Sequence, residues 1–324
     1  VAGALAVAYS DAVTQATVGD NVSITGQNQD GINNTADDKA GNVMVTTDNT
    51  SKLSAKAWSV ALSKNAGIGA SVATIVSENE YTAEVGKAGV INANSLSVQA
   101  NNHKVSGSVP FEFNTDDPEK LKESLTDSNL QIIFGQNNYY SEAIAGSASG
   151  KVAVTGAAAV NYFQDTTKAS VGSGTIVSTD GAVNLSSSND TTAKAFVTSV
   201  ALSTGNAGVG LVSTNVINSS ETSSVFAGDI NKSSSVNITA DATQDAGVFG
   251  LGGGAANTAG IAGVATVVVS ENKVHAQVAD NAKVNTTGNV VVSANNDFDA
   301  LNVAASVAVG GTAGIGAAVG TTNV

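Results

Sequence analysis

The sequence predicts an all-β repeat solenoid, foremost a parallel β-helix, with one small helical insertion. Three observations predict it: one phrase recurs at a spacing of about 54 residues, apolar and polar residues alternate inside each copy, and small and β-branched side chains dominate.

The recurrence comes first, because a missed period misreads the whole fold. Ser59 to Gly69 reads SVALSKNAGIG and Ser306 to Gly316 reads SVAVGGTAGIG, identical at seven of eleven positions. Ser199 to Gly210 repeats the phrase with one residue added, SVALSTGNAGVG. The Ala-Gly pairs at Ala207-Gly208, Ala259-Gly260 and Ala313-Gly314 follow at spacings of 52 and 54. A second signature, Ala then Val two residues on, stands at Ala16/Val18, Ala83/Val85, Ala169/Val171 and Ala276/Val278, with Ser223/Val225 in the remaining copy. A third is the apolar pair Val43/Val45, Leu96/Val98, Val183/Leu185, Val236/Ile238 and Val290/Val292. Residues 1–324 thus read as one array whose unit occurs five times and begins a sixth, with insertions at 26–41 and 110–142 where the spacing lengthens.

Inside a unit, Val290, Val292 and Ala294 show the period-two pattern of a half-buried strand, and VATVVV at Val264 to Val269 reads as buried on both faces. Gly, Asn, Asp and Ser clusters break these runs every 8 to 12 residues, which predicts two or three rungs per unit. A solenoid of hairpins is the alternative, because SVALS and VGLVS could fold back on each other through the Gly-containing turn between them. Helical signals occur once: Asp117-Pro118-Glu119 caps and opens a short helix through about Leu125, with Leu121 and Leu125 on one face. Neither Val1 to Tyr9 nor the closing AGIGAAVGTTNV reads as the polar cap an array needs, so the chain is expected to be a stretch of a longer one.

Composition narrows the function. A formal charge of −13, with lysine as the only strong base, disfavours nucleic acid as a partner, since phosphate binding needs a basic footprint. Zero cysteine excludes disulfides, thiolate metal sites and a cysteine nucleophile. No run of 18 apolar residues predicts a membrane-spanning helix.

In the phrase SVALSxxNAGIGA, the step Ala83 to Gly86 and VVVSANN at Val290 to Asn296, the sequence resembles the very large repeat adhesins of Gram-negative bacteria, the filamentous-haemagglutinin and leukotoxin-type surface proteins. The resemblance covers nearly the whole chain apart from the two insertions. It implies an autotransporter-like or two-partner export route, a cell-surface location at the outer membrane, a β-helical stalk without catalytic residues, and a role in attachment and virulence. The partner it implies is a host-cell surface protein, a glycan or other bacteria, met by a monomeric array.

Candidate chemistry is sparse. The two histidines, His103 and His275, occupy different points of the repeat, so no triad or zinc site is expected. A glycan-active β-helix enzyme would want clustered acids in a groove, and the acids here are scattered. Gly250 to Gly254, GLGGG, lacks the Lys-Ser/Thr of a phosphate loop and reads as a turn or tightly packed corner. The first insertion offers Asn28, Asp30, Asn33, Asp37 and Asp38, hard oxygen donors of the kind calcium takes, though not at EF-hand spacing. A solvated Asx-rich turn is the plainer reading, and a calcium-binding secreted toxin segment would lack its nonapeptide repeat. The second insertion gathers Phe111, Phe113, Phe134, Tyr139 and Tyr140, which are expected either to contact a ligand or to cover the side of the array.

Overall fold

The computed structural model describes residues 1–26, 39–105 and 137–324. The expected helix at Asp117 to Leu125 lies outside them, and every regular element within them is a strand. The strands form three parallel sheets, because each unit of sequence hands a segment to each sheet in turn. Sheet A joins β1 (Ala2–Ser10), β6 (Ala66–Ser77), β10 (Val152–Phe163), β14 (Ala207–Asn218), β18 (Ala259–Ser270) and β21 (Ala313–Asn323) in that order. Sheet B joins β2 (Val13–Val18), β7 (Glu80–Val85), β11 (Thr166–Val171), β15 (Glu221–Phe226) and β19 (Lys273–Val278). Sheet C is built on β8 (Val90–Asn102), β13 (Ala182–Ser203), β17 (Ser235–Ala256) and β20 (Val290–Gly310), flanked by β4 (Ala40–Asn49), β5 (Leu53–Ser63) and β9 (Tyr139–Ser149). The short strands β3 (Ser23–Ile24), β12 (Ile176–Thr179) and β16 (Asp229–Lys232) complete it.

Register ties this to the repeat. Val183 pairs with Val236 and Val236 with Val290; Ala207 pairs with Ala259 and Ala259 with Ala313. One unit therefore closes one coil, where two or three rungs were expected. The reason lies in sheet C: the polar run Ser186 to Thr192 reads as a loop but stays extended inside the 22-residue strand β13, so what looks like two strands is one. Every described pairing is parallel, consistent with a solenoid, and the hairpin alternative falls. The Ala/Val signature also shifts in one copy, where Ser224 and Phe226, not Ser223 and Val225, stand in register with Ala169 and Val171.

Each coil encloses two cores. Between sheet B and the first half of sheet C, Val85, Val171 and Phe226 pack against Leu96, Val98, Leu185 and Ile238, as an ordinary apolar interior. Between sheet A and the second half of sheet C the interior is uneven: Ile75, Tyr139, Phe163, Val216 and Val268 fill the end nearest sheet B, and small side chains alone line the far end. There Ala57, Ser59 and Ala61 face Gly67, Gly69 and Ser71, and Ser71 donates to the Ile144 carbonyl at 2.7 Å. Facing sheets ordinarily stand about 10 Å apart. Here a Cβ built on Gly69 would lie 2.6 Å from the Gly146 carbonyl oxygen, and one on Gly254 only 2.0 Å from that of Ile261. The GLGGG segment is thus the interior of strand β17, tightly packed as expected but not a turn. Larger apolar residues of this thin pair of layers point outward instead, among them Trp58, Val60 and Leu62 on sheet C and Ile68, Val72 and Leu211 on sheet A, all exposed.

Candidate functional site

The densest polar chemistry among the described residues is a wall between the two cores. It runs from the corner joining sheets A and B to the middle of sheet C. At the corner, Asn79, Asp165, Ser220 and Asn272 occupy equivalent positions of successive coils, and each of the first three accepts a backbone N–H from the coil before it. Asn79 Oδ1 takes the Ala12 N–H at 2.9 Å, Asp165 Oδ1 that of Asn79 at 3.3 Å, and Ser220 Oγ that of Asp165 at 3.2 Å. These side chains satisfy donors that the bend between sheets leaves unpaired. In sheet C, Asn102 donates to Asn189 Oδ1 at 2.9 Å, and Gln244 Oε1 accepts from both Asn218 and Asn272.

Asp165 is the ionisable group at the heart of this wall. It is fully buried, accepts from Tyr139 Oη and, at 3.0 Å, from Ser77 Oγ, and takes part in none of the ion pairs among the described residues. Burial holds its carboxyl above the ordinary Asp range, an effect the hydrogen bonds from Tyr139, Ser77 and Asn79 only partly offset. Burial and the same carboxylate push the Tyr139 and Tyr81 phenols up. A sealed carboxyl with a tyrosine hydroxyl and a serine hydroxyl donating to it can hold a corner together; a substrate has no path to it. The Asn/Asp/Ser column that marks it emerges only once the coils are set in register.

A second cluster lies on the outer face of sheet C. Glu142 accepts from Trp58 Nε1 at 2.6 Å and from Tyr140 Oη at 2.8 Å, Lys56 Nζ stands 3.7 Å from Glu142 and 5.3 Å from the centre of the Tyr140 ring. Nearby in register, Lys194 lies across Gly247 and pairs with Asp245 at 3.4 Å. Elsewhere Asp180 bridges Lys39 at 2.5 Å and Lys232 at 2.7 Å, which holds its carboxyl down at about 2.

The residues singled out from sequence fare unequally. Asn28, Asp30, Asn33, Asp37 and Asp38 lie outside the described residues, as do Phe111, Phe113 and Phe134; no group of three metal-binding side chains occurs among the described ones. Tyr139 and Tyr140 open strand β9 and are buried, Tyr139 against Phe163 at 5.1 Å between ring centres and Tyr140 with its hydroxyl donating to Glu142 at 2.8 Å. Ala40 and Gly41 belong to β4, and Tyr139 to Glu142 belong to β9. His103, just past the end of β8, sits 2.7 Å from Asp48, and His275 in β19 bonds Gln277 at 2.7 Å. No helix among the described residues is long and apolar enough to cross a membrane.

No protein-family model matches the chain, and no curated protein or solved structure matches it either.

Proposed function

We propose that this chain is a parallel β-solenoid segment of a secreted bacterial surface adhesin, a shaft that carries attachment sites without catalysing a reaction. The observation that supports this reading is the one-unit, one-coil register: backbone pairing continues from coil to coil through all six strands of sheet A, so the array can be lengthened by adding units. Its richest polar cluster is sealed and spent on holding that stack. Recognition then belongs to what is inserted once, with Phe111, Phe113 and Phe134 as candidates from the sequence.

The test replaces residues 106–136 by a short Gly-Ser turn and compares binding to host cells, bacteria and immobilised glycans. Binding is expected to fall at least about tenfold while the β circular dichroism and melting temperature hold. Undiminished binding would move recognition onto the coils. Release of new reducing ends from a polysaccharide panel would replace the shaft by a glycan-cleaving enzyme.

A further inference from the structure

The outer face of sheet A belongs to neither core. In a chain where 13% of residues are charged, none of its six strands contains an Asp, Glu, Lys or His. Its outward side chains include Leu5, Val72, Leu211, Ile261 and Ile315, each exposed. At its centre Gly156 stands in register between Ala70 and Leu211, and a Cβ built there would meet nothing within 4 Å. The result is a shallow apolar trough of about 360 Å³, lined by Ala70, Val72, Gly156, Ala158 and Leu211.

We propose that this face packs against the same face of a second copy of the chain, with Leu211 of each copy seated in the trough of the other. Three observations select that occupant. Six strands of up to 12 residues span roughly 900 Å² at ordinary strand spacing, so two copies together reach the area of a stable interface. At a net charge of −13 two copies repel each other over most of their surface, and the uncharged face is where they can meet without like charges opposed. A knob beside a hole on one face is self-complementary under a two-fold axis. A lipid surface fits less well: the face offers no lysine to headgroups, and its only broad aromatics are Tyr9 and Tyr162.

Sedimentation of the whole chain from about 1 to about 100 μM, beside Gly156→Lys, tests the proposal. The chain should sediment as a closed dimer and the variant should dimerise at least tenfold more weakly. Its circular dichroism and melting temperature should be unchanged, because a Cβ at this position meets nothing within 4 Å. Trp58, the single tryptophan, lies exposed on sheet C, so its emission should not shift on dimerisation. Leu211→Asp, at an exposed position, repeats the test should Gly156→Lys fold poorly. A chain that stays monomeric overturns the proposal, as does growth beyond dimers that neither variant affects, which would indicate strand-edge pairing. Flotation of a monomer with phosphatidylcholine vesicles, abolished by Gly156→Lys, overturns it in favour of lipid.

Discussion

Gly210 of sheet A and Gly253 of sheet C meet backbone to backbone: a Cβ on Gly210 would stand 2.2 Å from the Gly253 carbonyl oxygen. Glycine is demanded there by proximity, not by backbone angle. Gly208 and Gly260 face the same constraint, with carbonyl oxygens of Ala255 and Val309 at 2.3 and 2.2 Å.

Gly210→Val should therefore destabilise the fold by at least about 3 kcal/mol in urea unfolding, since layers held by Gly, Ala and Ser contacts must separate. Gly156→Ala, facing open space on the same sheet, should instead be neutral or stabilise by about 0.5 kcal/mol. Similar effects at the two positions would show that the layers are not in contact.

Asp165 should leave a mark on the pH dependence of stability. Its folded pKa is raised, so its contribution is fully present below the unfolded value of about 4 and is lost as pH rises through the folded value. The melting temperature of Asp165→Asn relative to the parent should accordingly climb between pH 4 and neutrality. Parallel melting curves across that range would mean that the carboxyl is solvated.

Where the second insertion is cut should decide whether the chain folds. Extending the replacement from residues 106–136 to residues 106–142 removes the start of β9, including Tyr139, whose ring packs on Phe163, and Glu142, which holds Trp58. Loss of one buried tyrosine alone costs about 3 kcal/mol or more. The longer cut should lower the urea midpoint steeply and the shorter one should not, as read by circular dichroism.

The repeat was legible because Ala207, Ala259 and Ala313 sit one coil apart and are hydrogen-bonded neighbours. Alternation also marked the strands correctly. It could not say which face was inside: in SVALSTGNAGVG, Val200, Leu202 and Val209 point out and Ser199, Ala201, Ser203, Gly208 and Gly210 point in, the reverse of the usual rule that larger apolar residues fill the core. Tyr139 and Tyr140 adjoin an insertion in sequence, and their register with Ala193 and Lys194 is visible only in the folded sheet. Asp165 escaped notice because a single carboxylate among serines and asparagines carries no spacing signal until the coils are aligned.

The one-coil unit also sets how the array would answer a mechanical pull. Stacking adds only about 4.8 Å per coil, although Val236 and Val290 are 54 residues apart. Tension along the stack would peel the terminal strands row by row, and each coil let go would release roughly 190 Å of extended chain. Such a shaft is short for its mass but stores a long reserve of slack, yielding in steps under shear while the coils behind the break stay intact.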